Sequence, residues 1–320
     1  MLNRFKSIAL CLTLAGLPVM ALAAEEGDAE SWLEKMGRAL REESYEGIFT
    51  YMRGYQFDTV KVVHKFEDGK EKERLLHLNG DQREVLIDGD TVTCRHEPGA
   101  DVDLEREVSL GPFTHAFNEN LANYQSFYDF TLTGHDRVAG RPAIRLEITP
   151  KNNDRYGYKL WLDEATGLLL QSHLISQGHV LEVFQFSRVD IGDPVDDSHL
   201  LATLTGDVVV HQLAPNEPDT ATATAQARKP DWRVAWLPNG FRQVRTTSPN
   251  RILFSDGIAT FSIFVEQGKS SRLGEIVTHM GGTVVITRRL KNTAQQITVV
   301  GEVPVDTAKR VAESVEPVIY

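Results

Sequence analysis

Apolar and polar residues alternate with a period of two through much of the first two thirds of the chain, in short runs. Gly47 to Tyr51, Thr59 to Phe66, Glu73 to Leu78, Arg83 to Ile87 and Thr91 to Cys94 read as strands punctuated by Asp68-Gly69, Asn79-Gly80 and Asp88-Gly89. Those dipeptides accept positive φ and favour tight hairpins. Longer strands follow at Thr131 to Arg137, Pro142 to Thr149, Tyr156 to Asp163, Leu168 to Ser176 and Val180 to Asp190, with turns at Ala139-Gly140, Thr166-Gly167 and Gln177-Gly178. Such short connections force antiparallel neighbours, because a parallel return needs a crossover of about a dozen residues. Helical spacing shows in two places. Trp32, Leu33, Met36 and Leu40 predict an opening helix with Ser31 and Glu34 as a capping box, and Phe113, Phe117 and Leu121 predict a second from Pro112. The expected fold class is α+β, with a large antiparallel meander that curls on itself and is covered by the helices. Its inner face is either a filled core, which the composition favours, or an apolar concavity suited to an acyl chain or apolar peptide.

The pattern breaks between Ala214 and Pro230, where APNEPDTATATAQARKP has three prolines and no large apolar residue. A stretch of that composition cannot build a core and reads as a linker over 214–230. Beyond it a smaller α+β unit is expected over 231–320. Its strands lie near Phe241 to Thr246, Arg251 to Phe254, Ile258 to Glu266, Thr283 to Leu290 and Gln296 to Gly301, and a helix follows Pro304 with Ala308, Val311, Ala312 and Val315 on one face and Asp306 as its cap.

The first 23 residues read as a removable secretion signal: Arg4 and Lys6, an apolar run from Ile8 to Val19, then Ala21-Leu22-Ala23. The run is shorter than the roughly 20 residues that span a bilayer. A mature chain from Ala24 carries a formal charge of −13 against −11 for the whole, and it divides unevenly, −16 up to Pro230 and +3 from Asp231 to Tyr320. Nucleic acid is a poor partner for so acidic a chain. Cys94 is the one cysteine left, so neither an intramolecular disulfide nor a multi-thiolate metal site is available.

Searching for chemistry returns absences. The chain has no His-Glu-x-x-His pair, no Gly-x-Ser-x-Gly elbow, no Gly-Lys-Ser/Thr phosphate loop and no Gly-x-Gly-x-x-Gly. His173 and His179 flank a turn but lack the further ligands zinc needs. His135 and Asp136, as strand neighbours, point to opposite faces. No enzyme, no cofactor, no metal and no catalytic residue is expected. Tyr156, Tyr158, Leu160 and Leu162 share one face of their strand, and Lys159, Trp161 and Asp163 the other. Trp232, Trp236 and Phe241 surround a Pro-Asn-Gly turn at the entrance to the small unit.

Six blocks carry a resemblance: WRVAWLPNGF (Trp232 to Phe241), FSDGIATFSIFVE (Phe254 to Glu266), TVVGEVPVDTAKRVAESV (Thr298 to Val315), SYEGIFTY (Ser44 to Tyr51), ERLLHLNGDQREV (Glu73 to Val85) and RYGYKLWLDEATGLLLQS (Arg155 to Ser172). Across almost the whole mature chain they resemble the RseB/MucB family of periplasmic sigma-E regulators. The resemblance implies a large N-terminal domain over 24–213 similar to the lipoprotein carriers LolA and LolB, a half-barrel sheet covered by helices, and a smaller C-terminal domain that contacts the periplasmic part of a transmembrane anti-sigma factor, RseA or MucA. It further implies that the protein shields that factor from the site-1 protease DegS and lets go on binding lipopolysaccharide or another acylated ligand. A soluble periplasmic lipid or lipoprotein carrier is the alternative. Trp236, Phe241, Arg245, Arg288 and Arg289 are the candidate partner-binding residues, and Phe49, Tyr51, Tyr158 and Trp161 the candidates for the apolar concavity. Oligomeric state is left open, a homo-oligomer included.

Overall fold

A computed structural model of the chain describes residues 28–98, 124–212, 231–248, 250–267, 275–290 and 293–318. The expected signal, the second helix at Pro112 and the linker over 214–230 lie outside them.

The opening helix α1 (Ala29–Glu42) buries Leu33, Met36 and Ala39. It starts three residues earlier than its apolar spacing suggests. Asp28, not Ser31, is its N-cap, with Oδ1 accepting from the Ser31 N–H at 2.8 Å. An Asp there satisfies one of the four amides a helix start leaves unpaired.

Ten strands come next: β1 (Tyr45–Arg53), β2 (Gln56–Glu67), β3 (Lys70–His77), β4 (Arg83–Asp88), β5 (Thr91–His96), β6 (Tyr128–Val138), β7 (Arg141–Pro150), β8 (Gly157–Asp163), β9 (Leu169–Ser176) and β10 (His179–Ile191). The two-residue turns behave as their chemistry predicts. Asp68-Gly69, Ala139-Gly140 and Gln177-Gly178 each hold two successive positive φ angles, the type I′ signature. Every pairing is antiparallel, but the sheet is two meanders, not one: β1–β5 and β6–β10 join because β1 pairs β10, with Tyr51 opposite Phe184. An eleventh strand, β11 (Asp207–Gln212), adds to the β5 edge, a strand the sequence pattern did not show.

The sheet is open, since edges β11 and β6 do not pair, and it curls. β6 comes within 8 Å of β10 between Cα atoms although three strands separate them in the sheet order. In a flat sheet they would be roughly 19 Å apart. The helix α1 packs inside this curl, against β2, β6 and β9. Leu33 and Met36 join Val62, Leu146, Leu160, Leu162 and Phe186 in one core, and Cys94 is packed into it as a small buried side chain. Each such Leu-sized burial contributes about 1.5–3 kcal/mol.

The second sheet is built from β13 (Arg242–Ser248), β14 (Arg251–Ser255), β15 (Thr260–Gln267), β16 (Ile276–Met280), β17 (Thr283–Arg289) and β18 (Gln295–Gly301), in the order 13-14-15-18-17-16. The closing helix α2 (Val305–Ser314) covers one face through Ala308, Val311 and Ala312. Pro304 occupies its N-cap position without a side-chain bond, so Asp306 is a first-turn residue and not the cap. A two-stranded ribbon of β12 (Trp232–Val234) and β19 (Val315–Pro317) sets Trp232 opposite Pro317 and ties the two ends of this unit together. No helix among the described residues is long and apolar enough to cross a membrane.

Candidate functional site

The seam between the two sheets buries a cluster of polar side chains. Arg155 follows β7 on the large sheet, and Asp256 lies in the turn after β14 on the small one. Both side chains are fully buried, with Arg155 Nε donating to Asp256 Oδ2 at 2.5 Å. Tyr128 Oη donates to the same oxygen at 2.9 Å, while Oδ1 accepts from the amides of Ile258 and Ala259 at 3.0 and 2.8 Å. The carboxylate is thus saturated, half from its own turn and half from across the seam. Arg155 also donates to Asn152 Oδ1 at 3.1 Å and to the Asn239 carbonyl. Its guanidinium lies 4.9 Å from the Phe127 ring and 5.1 Å from that of Phe241, a cation held by aromatic faces on both sides. Gly240 has φ +91°, and a Cβ there would come within 2.5 Å of the Phe127 ring, so only glycine lets this turn approach.

A second group lies along the same seam. Glu182 of β10 accepts from Tyr51 Oη and, at 2.8 Å, from the Gly282 amide, while Tyr156 Oη donates to the Val303 carbonyl at 3.0 Å. Burial, reinforced by the Glu182 charge, pushes the Glu302 carboxyl up to about 7. Burial first and Glu182 second push the Tyr51 hydroxyl far above its ordinary range, and burial does the same to Tyr158. Beside this group a cleft of about 240 Å³ opens, lined by Glu147, Asn152, Arg155, Tyr158, Gln177 and Pro304 among others.

The sequence candidates fall in different places. Phe49 and Tyr51 lie on one face of β1, with Phe49 4.9 Å from Phe184 and 5.8 Å from Phe186, ring to ring. Tyr158 is buried in the same core. Trp161 packs, half-buried, against the same core, but alternation sets it on the other face of β8 from Tyr158; its Nε1 donates to Asp136 at 3.0 Å and its ring lies 4.7 Å from His173. Of the partner set, Trp236 is half-buried with Arg310 3.9 Å over its ring. Phe241 is buried against Phe261 and Arg155 at the seam. Arg245 sits opposite Leu253 in β13, and its side chain falls outside the described residues. Arg288 and Arg289 are adjacent on β17 and therefore face opposite ways, Arg288 towards Glu313 of α2 at 3.7 Å, with Arg289 exposed.

Comparison with known proteins supplies the context. Residues 28–204 match the MucB/RseB N-terminal domain and residues 226–316 the MucB/RseB C-terminal domain. This chain belongs to the MucB/RseB family. It is 37% identical over 320 residues to the sigma factor AlgU regulatory protein MucB of Pseudomonas aeruginosa, covering 96% of both chains. It is 30% identical over 322 residues to the sigma-E factor regulatory protein RseB of Haemophilus influenzae, covering 98% of both. A solved structure of the Pseudomonas aeruginosa MucA/MucB complex matches with a TM-score of 0.72 and 34% identity, over 92% of this chain and all of that one. MucB solved alone matches with a TM-score of 0.65 over 90% of this chain. The MucB/RseB relatives are sigma-factor regulatory proteins by name.

Arg155 and Asp256 each lie inside a sequence block that carries the family resemblance, yet neither stood out by itself. They are 101 positions apart, and no local spacing signals such a pair.

Proposed function

We propose that this protein is a periplasmic regulator of an envelope-stress sigma factor: it binds the periplasmic segment of a transmembrane anti-sigma factor of the RseA/MucA kind and shields it from the site-1 protease. Binding of lipopolysaccharide or another acylated ligand releases the segment. In this reading residues 1–23 are a removed leader, 24–213 the ligand-sensing domain, 214–230 a linker and 231–320 the partner-binding domain. The observation that carries it is the likeness, at a TM-score of 0.72 along 92% of the chain, to a MucB solved in complex with MucA.

The seam gives the reading a mechanism. The partner segment lies in the cleft beside Arg155 and Pro304 and over the small unit's Trp236, Arg245 and Arg288, with Arg289 facing the other way from Arg288. An acyl chain enters the inner face near Phe49, Tyr51 and Tyr158. Tyr51 is bonded to Glu182, which is bonded in turn to Gly282 of the small unit, so a chain that displaces Tyr51 loosens the seam and deforms the cleft. The two ligands then oppose one another, and by linkage each weakens the other by the same factor. A coupling of about 2 kcal/mol gives roughly a 30-fold change in affinity.

The test is cleavage of a purified anti-sigma periplasmic domain by the site-1 protease, with and without this protein and then with lipopolysaccharide. Protection that lipid reverses is expected. Unaltered cleavage together with no measurable binding of the segment overturns the proposal.

A further inference from the structure

Where the β2–β3 hairpin meets the end of α1, three potential metal-ligand atoms from His64, Glu71 and Glu73 lie within 4.8 Å of one another. The register explains why. His64 is directly opposite Glu73, and Glu71 is two residues before Glu73 on the same face, so the Asp68-Gly69 turn brings a His-x6-Glu-x-Glu sequence to one spot. His64 is fully buried and its Nδ1 lies 2.8 Å from the Glu43 carbonyl at the C-cap of α1. A carbonyl can only accept, so Nδ1 carries a proton, and Nε2 is turned towards Glu71 Oε1, 3.1 Å away, as a lone pair on the neutral ring or as an N–H on the imidazolium. Two acceptors facing each other at that distance need a cation or a proton between them. Glu73 is 94% buried by its 6% exposure, and its Oε1 has no hydrogen-bond partner. The charges that act on Glu73 come from His64 and Glu71, with no lysine or arginine among them.

We propose that His64, Glu71 and Glu73 bind a zinc ion. One imidazole nitrogen and two carboxylate oxygens form a ligand set zinc accepts, with a fourth position left to water. The Nδ1–H bond to the Glu43 carbonyl and the Tyr45 ring, stacked on the imidazole at 4.8 Å and 14°, supply the outer shell that fixes a metal-binding histidine in place. Ligand atoms on a tetrahedral zinc with bonds of about 2.0–2.1 Å stand roughly 3.4 Å apart, so side-chain rotation that draws atoms now up to 4.8 Å apart together by about 1.4 Å closes the set. Glu71, with its side chain 44% exposed, provides the way in. Calcium and magnesium, which want six or more oxygen ligands, fit poorly. A bound ion would clasp the end of α1 to the hairpin. The site is independent of the seam and of the regulatory reading.

Titration of the full, tag-free mature chain with zinc chloride by calorimetry, with metal content measured after dialysis, tests this. One zinc per chain is expected, with a rise in Tm, slower amide exchange in the last turn of α1 and, with cobalt(II) substituted, the visible bands of a four-coordinate site. Glu71→Gln, at an exposed position that leaves the fold intact, and Glu73→Gln should each weaken zinc at least about tenfold. No zinc retained by the folded chain, or equal zinc binding in parent and both variants, overturns the site.

Discussion

Arg155 and Asp256 form an ion pair with neither side chain exposed to solvent, at 2.5 Å, across the seam between the two sheets. A buried pair is weak evidence of net stabilisation, because desolvating two charges offsets much of their attraction. Removing one partner is a different matter, since the survivor keeps its desolvation and loses its counter-charge. Arg155→Ala should therefore destabilise the protein by about 3–5 kcal/mol, with Tyr128 and two turn amides left around an uncompensated carboxylate. Urea unfolding measures this. A loss below about 1 kcal/mol means that the seam does not depend on the pair.

How much of this was legible beforehand divides by range. The hairpins were, because Asp68-Gly69 or Gln177-Gly178 encode their turn within two residues, and period-two alternation fixes which side chains share a face. The same alternation already separates Tyr158 from Trp161. The joining of the two meanders was not, because the pairing of Tyr51 with Phe184 spans more than 130 residues and leaves no local mark. Short exposed strands also escaped: Ile276–Met280 is exposed at every position, so no buried face imposes a pattern on it. The seam is the extreme case, since its partners are distant in sequence and its glycines look like ordinary turn residues.

Gly282 is such a glycine. Its φ is not in the left-handed region, so alanine is tolerated by the backbone, but a Cβ there would overlap a methyl group of Leu174 on the large sheet. Gly282→Ala should cost about 1–3 kcal/mol through overpacking at the seam. The double variant Gly282→Ala/Leu174→Ala should lose less than the two single changes summed, because each makes room for the other. Thermal unfolding of the four proteins decides it, and strictly additive losses count against a direct contact.

Glu84 makes a comparable anchor on the other side of the large sheet. It is fully buried, accepts from Arg74 Nε at 2.6 Å and receives the amides of Thr203 and Leu204 at 3.1 and 2.9 Å. Arg74 in turn donates to the His199 carbonyl at 2.9 Å and to Thr203 Oγ1 at 2.6 Å. The short 3-10 helix Asp197–Leu200 and the residues after it are thus strapped down by one ion pair. Glu84→Ala should cost about 3–5 kcal/mol and raise amide exchange selectively over residues 198–204. Protection there equal to the parent's would show that the strap is held by something else.

Glu302 gives the seam a pH dependence with a definite sign. Burial, with Glu182 adding repulsion, raises its carboxyl from 4.5 to about 7 in the folded protein. Below about pH 4.5 the group is protonated whether the chain is folded or not and has no effect. Between about 4.5 and 7 the unfolded chain releases the proton while the folded one retains it, so stability from this group falls as pH rises and levels off above about 7. Glu302→Gln removes the penalty. The variant should be more stable than the parent at pH 8, by about 1 kcal/mol after discounting for screening by solvent, and no more stable at pH 4. Measuring the difference between the two proteins, not either curve alone, cancels the opposite trend from carboxylates held low by their partners, such as Glu84 and Asp163. A constant difference from pH 4 to pH 8 would assign the effect to packing and not to the buried charge.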